Sequence, residues 1–207
     1  GAFFDCWSDD KHVVRPFTIP EHWTKFISGD WGSAAPFSFG WWAVVSDDHK
    51  LENGRVLPRG CMIRYREWYG SPNHKNVGLK MVAEDVGAGI AERTNKDEEL
   101  HYNIIDPAAF AEDGGPSIAE RIYEGGGPYF KRADNKRIAR AGAMGGWDTM
   151  RARMKGDTNG NPMIVCFNTC VDSIRTIPAM QHDLMRPEDL DTTMEDHAVD
   201  EWRYACM

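Results

Sequence analysis

The 207 residues carry a formal net charge of −8, with 42% hydrophobic residues and eight Trp. That apolar fraction suits one α/β domain with a sizeable core, and it excludes a disordered chain. The charge argues against a protein that coats nucleic acid generically, although an enzyme acting on DNA answers to local fields rather than to the sum. No apolar run approaches a membrane span, and the amino terminus lacks a signal-peptide pattern. The opening Gly1-Ala2 without an initiator Met is the expected mark of a piece cut from a longer protein.

Residues 1–25 read as a lead-in, with Pro16 and Pro20 interrupting any regular pattern. The domain proper is expected over 26–207. Phe26 opens a first strand that ends at Asp30, followed by the Trp31-Gly32 turn and a second strand over 37–45. A polar stretch at 47–60 predicts a protruding hairpin before a third strand at 62–69. Val77, Met81, Val82, Val86 and Ile90 recur at helical spacing and predict a helix over 77–93. A short strand, Tyr102-Asn103-Ile104-Ile105, ends in Asp106-Pro107, because proline biases its predecessor toward extended backbone. Further helices are expected at 117–123, 138–154, 170–181 and 194–205, with a fifth strand at 163–167. The order predicts a mixed central sheet with helices on both faces, the RNase H-like arrangement.

The acids supply the chemistry. Two-metal phosphodiester hydrolysis needs several anionic oxygens converging on divalent ions about 4 Å apart, and hard cations prefer carboxylate and water. Asp30 and Asp106 end two strands, and if those strands are adjacent and parallel both acids reach one edge of the sheet. A late helix offers Asp196 and Asp200 on one face at i,i+4, with His197 beside them. Each acid also has an ordinary structural reading: Asp30 as a turn residue, Asp106 as a strand end, Asp196 as a first-turn helix acid, Asp200 as a partner of Arg203 or Tyr204. Lys131, Arg132, Lys136, Arg137, Arg140, Arg151, Arg153 and Lys155 form a basic stretch expected on one helix and its approach, suited to a DNA backbone. The five cysteines, Cys6, Cys61, Cys166, Cys170 and Cys206, lack a zinc-ribbon spacing and are expected to be reduced thiols.

The words around the acids carry a resemblance. Ala2-Phe3-Phe4-Asp5, His12-Val13-Val14, Gly29-Asp30-Trp31-Gly32, Tyr102-Asn103-Ile104-Ile105-Asp106-Pro107-Ala108, Ala133-Asp134-Asn135 with Arg137, and Asp196-His197-Ala198-Val199-Asp200 with Arg203-Tyr204-Ala205 run in order through the chain. Together they resemble the carboxy-terminal nuclease domain of tailed-bacteriophage terminase large subunits. The resemblance implies an RNase H-like endonuclease that uses two Mg2+ or Mn2+ ions to cut concatemeric viral DNA during packaging. Asp30, Asp106 and Asp200 would be its catalytic metal ligands, with Asp196 as understudy to Asp200 and His197 at or behind the metals. Double-stranded DNA, the terminase small subunit, the portal and an ATPase domain would be its partners, in the host cytoplasm. No G-x-x-x-x-G-K-[ST] sequence is present, so the ATPase domain is expected outside this chain. Two competing expectations stay open: another RNase H-like nuclease such as a junction resolvase, and a non-catalytic docking module of a packaging motor.

Overall fold

The computed structural model describes residues 1–207. Its elements run α1 (Asp9–His12), β1 (Val13–Val14), β2 (Thr24–Asp30), β3 (Ser38–Val44), β4 (His49–Lys50), β5 (Val56–Leu57), β6 (Met62–Tyr69), α2 (Ala83–Arg93) and β7 (Tyr102–Ile105). They continue with α3 (Ile118–Glu124), β8 (Lys131–Arg132), α4 (Gly146–Lys155), β9 (Ile164–Phe167), α5 (Val171–Thr176) and α6 (His197–Cys206). Seven strands make one sheet in the order β1-β9-β6-β3-β2-β7-β8, and β4 and β5 pair separately as the expected hairpin, which packs against the body of the fold through Leu57 and His49 rather than protruding. β3 is antiparallel to β2 and β6, whereas β2 and β7 are adjacent and parallel. This is the RNase H-like mixed sheet with helices on both faces.

Side chains alternate across a strand with period two, and that parity assigns every residue of β2 to one of two cores. Ile27 packs with Trp41, Val86, Ile90 and Ile122 beneath α2 and α3. Phe26 packs with Trp42, Trp147, Val199 and Trp202 beneath α4 and α6. Ser28 and Asp30 therefore share the α6 face with Phe26. On β7, Tyr102 stacks on Phe26 with centroids 4.6 Å apart, while Ile105 joins the α2 and α3 core. Asp106 has the parity of Tyr102 and so faces α6 as well. Gly29 lies on the opposite face, where a Cβ would sit 2.5 Å from the Phe39 ring. Only glycine lets Phe39 cover the strand immediately before Asp30.

α6 is held to the sheet by a buried ion cluster. Arg64, on β6, has no solvent exposure and is ion-paired to both Glu67 and Glu201. Trp42 Nε1 donates to Glu201 Oε2 at 3.0 Å, and Ser28 Oγ donates to the Glu201 carbonyl at 2.9 Å. Glu67 accepts in addition from the Asp172 and Ser173 backbone N–H groups at 2.8 and 3.2 Å, tying in the start of α5. Gly40 makes room for the cluster, since a Cβ there would run into Arg64 and Glu201.

Several expected boundaries move. The helix expected from residue 77 begins at Ala83, because Gly78 N–H and Lys80 N–H are bonded to the Ala34 and Ser33 carbonyls at 2.8 and 3.0 Å. Lys80 also has φ 56°, outside helical backbone. The basic helix begins at Gly146 rather than 138, because Ala141 and Gly142, at φ 49° and 79°, turn the chain between the bridged Arg140 and Ala143. Lys131 and Arg132 accordingly lie on β8, and Lys136, Arg137 and Arg140 on a loop. The segment expected at 170–181 splits into α5 and a 3-10 turn at Ile177–Ala179, where Pro178 intervenes. The last helix starts at His197, three residues later than expected. The lead-in is part of the fold: Phe3 and Phe4 are buried in the α4 and α6 core, and β1 pairs with β9.

Two consequences are measurable. Arg64→Met strands Glu201 in the core and should cost about 3–5 kcal/mol in urea unfolding, with Arg64→Met/Glu201→Leu recovering most of it. His12 is buried, with one ring nitrogen 2.7 Å from the Met154 carbonyl and the other accepting from Ser8 N–H at 3.0 Å. Burial holds this imidazole below its ordinary value. The unfolded chain therefore takes up the proton first, so its contribution is full above the unfolded pKa of about 6.5 and is lost as pH falls through it. Wild type should lose stability relative to His12→Gln between about pH 7.5 and 5.5; parallel pH dependences would overturn the assignment.

Candidate functional site

The ends of β2 and β7 meet under the first turn of α6. Asp30 and Asp106 are 9% and 7% exposed, so both carboxylates are largely stripped of water. They are also stitched together through backbone: Trp31 N–H donates to Asp106 Oδ1 at 2.7 Å, and Asp106 N–H donates to the Gly29 carbonyl at 3.1 Å. Asp196 is the residue that precedes α6, yet its side chain makes no capping bond. It stands where the helix dipole favours an acid, and it is close enough to Asp200 and Asp30 to feel their charge. Asp200 follows one turn later, its N–H donating to the Asp196 carbonyl at 2.8 Å.

Electrostatics record the convergence. Burial holds Asp30 well above the carboxylate range, reinforced by Asp200, Asp106 and Asp196 and opposed by Arg203. Burial pushes Asp106 up to about 6, against the backbone bond from Trp31. Asp196 is pushed up to about 7 by burial and by Asp200. Four carboxylates gathered in a desolvated corner repel one another, and that repulsion is the physical signature of a site that awaits positive charge.

Part of that charge is already present. Arg203, 1% exposed, donates to Asp200 Oδ1 at 3.1 Å and to Asn135 Oδ1 at 2.9 Å. Arg137 stands 3.9 Å from Asp200 and 3.1 Å from Asp189. His197 Nδ1 lies 3.8 Å from both Asp30 and Asp196, while Nε2 bonds Asn76 Oδ1 at 2.8 Å. Burial lowers the His197 pKa, so the ring is neutral near pH 7. Burial, then Asp30 and Asp200, raise the Tyr204 phenol, which shares the corner.

The oxygen-only carboxylate set suits hard divalent cations, although no three His, Cys, Asp or Glu side chains are drawn together tightly enough to be a preformed ligand set. Asp30, Asp106, Asp196 and Asp200 are the groups able to close around such ions.

The expected basic surface divides. Lys131 and Arg132 pair with Ile104 and Ile105 on β7 and both are exposed; Lys131 shares the face of Asp106, whereas Arg132 lies on the opposite face, 5.2 Å from the Phe110 ring centroid. Lys136 and Arg140 are exposed on the following loop. Arg151 instead bonds the Phe3 carbonyl at 3.3 Å, and Arg153 bonds the Gly60 and Met163 carbonyls at 3.2 and 3.3 Å. Those two arginines are committed to the fold, away from the acids.

Sequence reasoning missed the opposite wall. Arg175 grips Glu195 through two bonds of 2.8 and 2.6 Å, and Tyr69 Oη donates to Glu195 at 2.5 Å. These contacts fix the residue before Asp196. No local pattern marks them, since β6, α5 and α6 are distant in sequence. Only Arg203 had a readable signal, its i,i+3 spacing from Asp200.

Neither a protein-family model nor a curated protein sequence matches the chain. Solved structures do. The large terminase of a thermophilic bacteriophage, in complex with ATP-gamma-S, superposes over 100% of this chain with a TM-score of 0.71 at 18% identity. This chain spans 45% of that protein, less than half its length. The nuclease domain of the P22 large terminase matches with a TM-score of 0.67 at 15% identity, over 100% of this chain and 91% of that one. The large terminase nuclease of thermophilic phage G20c, with bound cobalt, matches with a TM-score of 0.56 at 11% identity, over 99% and 96% of the two chains. Superposition over the full chain, with the mixed seven-stranded sheet, shows that this chain has the fold of the bacteriophage large-terminase nuclease domain.

Proposed function

We propose that this chain is a metal-dependent DNA endonuclease that cuts concatemeric viral DNA during genome packaging by two-metal phosphodiester hydrolysis. The observation that carries the reading is the convergence of Asp30, Asp106, Asp196 and Asp200 on one sheet edge, with Asp30 held well above the carboxylate range by burial and by the other three. The large terminase that holds a nucleotide analogue is more than twice as long as this chain, which supports an ATPase partner domain outside it. The terminase small subunit, the portal and duplex DNA complete the proposed assembly, in the host cytoplasm. No helix is long and apolar enough to cross a membrane.

Asp30, Asp106 and Asp200 are the proposed ligands, with Asp196 beside Asp200. Mg2+ or Mn2+ ions, when bound, would acidify a water and stabilise the departing oxygen. The chain's own groups do the rest. Strand ends hold Asp30 and Asp106 rigidly, and Arg203 holds Asp200 in one orientation. Neutral His197, with Nε2 engaged by Asn76, offers Nδ1 to a proton released beside Asp30. Lys131, Lys136 and Arg140 would meet phosphates on the β7 side of the acids, where the duplex backbone would be positioned rather than read.

Supercoiled plasmid should be cut with Mn2+ or Mg2+ and stay intact in EDTA. Asp30→Asn and Asp106→Asn should each lower the rate at least about 100-fold, because each removes several kcal/mol of charge stabilisation. Intact plasmid from folded wild type under all metals would shift the reading to a docking module.

A readout independent of cleavage accompanies it. Without metal, Asp30→Asn relieves buried like-charge repulsion and should raise stability by about 0.5–2 kcal/mol. Added Mn2+ should raise the melting temperature of wild type and not of this variant. Equal Mn2+ responses would remove Asp30 from the ligand set.

A further inference from the structure

Residues 71–80 join β6 to α2 and read Ser-Pro-Asn-His-Lys-Asn-Val-Gly-Leu-Lys, with three basic side chains and no carboxylate. In a chain of net charge −8, an acid-free segment touching an acid cluster is unexpected. Its position is fixed from both sides. Lys80 N–H donates to the Ser33 carbonyl at 3.0 Å and Gly78 N–H to the Ala34 carbonyl at 2.8 Å, just beyond Asp30. His74 Nδ1 bonds the buried Asp172 carboxylate at 2.9 Å, and Asn76 Oδ1 bonds His197 Nε2 at 2.8 Å.

These bonds close a ring. Asp172 also accepts from Arg175 at 2.9 Å, Arg175 holds Glu195, and Glu195 leads through Asp196 to His197 and back to Asn76. The loop is thereby tied to the start of α6 without being buried: His74 keeps 61% of its side chain exposed, and Lys75 and Lys80 are exposed. His74 and Lys80 both have φ 56°, a left-handed conformation that residues with side chains hold at a cost, and one that concentrates at functional sites. An exposed loop given this much internal support is preorganised for something outside the chain.

We propose that residues 71–80 form a second contact for the sugar-phosphate backbone of duplex DNA, lying across the acid cluster from Lys131 and Lys136, with Lys75 and Lys80 as its phosphate-binding groups. This rests on the nuclease reading and deepens it: the substrate is gripped on both flanks of the acids. Point charges on flexible stems suit a sequence-independent grip.

The test is fluorescence anisotropy of a labelled duplex of about 30 base pairs in EDTA, where cutting is blocked, over a range of salt. Wild type is compared with Lys75→Ala/Lys80→Ala and with Lys131→Ala/Lys136→Ala, and wild-type plasmid cleavage with Mn2+ is run in parallel. All four side chains are exposed, so unchanged thermal melts are expected. Each double variant should bind more weakly and flatten the log–log salt slope by about 2, near 1 per lysine. Lys75→Glu/Lys80→Glu should weaken binding further. Wild-type binding and slope in Lys75→Ala/Lys80→Ala, with plasmid still cut by wild type, would overturn the second contact and leave the nuclease standing. Wild type that neither binds nor cuts would overturn both.

Discussion

A guanidinium with no access to water sits between two carboxylates in the middle of this protein, and the acid corner depends on it. Arg64 is too deeply buried to be left unpaired, so the fold must bring it both Glu67 and Glu201. Burial opposes its charge, yet the two glutamates hold it above its ordinary value. Burial pushes Glu201 up to about 7, against the attraction of Arg64. Because Glu201 directly follows Asp200 on α6, satisfying Arg64 also sets the rotation and depth of the helix that carries the late acids. Ser28, two residues before Asp30, bonds the Glu201 carbonyl, so the same cluster registers α6 against β2.

Around that anchor, the molecule separates charges that stabilise from charges that wait. Arg64, Glu67 and Glu201 neutralise one another inside the core. Arg203, Arg137 and His197 stand close to the four acids, yet burial first and mutual repulsion second hold the carboxyl pKa values of Asp30, Asp106 and Asp196 up. Mutual repulsion there lowers stability. The backbone bond from Trp31 to Asp106 and the Arg203 bond to Asp200 keep the acids in place despite their repulsion.

The overall charge of −8 does not preclude local basic surface: Lys131, Arg132, Lys136 and Arg140 are exposed, as are His74, Lys75 and Lys80 on the loop after β6. Arg151 and Arg153, although they belong to the same basic stretch of sequence, are spent on backbone carbonyls. Linear clustering of basic residues therefore overstated the basic surface.

Where a residue's environment depends on its own strand or helix, the sequence by itself was enough. The Trp31-Gly32 turn after Asp30 and the Pro after Asp106 placed two acids at strand tips, and i,i+4 spacing put Asp196 and Asp200 on one helical face. The mixed sheet followed from the order of elements. Tertiary structure decided whatever depends on partners remote in the chain. Residues 77–82 have a helical pattern but bond the Ser33 and Ala34 carbonyls instead, and residues 138–145 yield to a turn at Ala141 and Gly142. Likewise Arg64, Arg175 and Asn76 became supports of the acid corner, because β6, α5 and α6 are brought together only when both cores are packed. Local periodicity reports which way a side chain points; what it meets there is settled by long-range burial of charge, which no window of sequence contains.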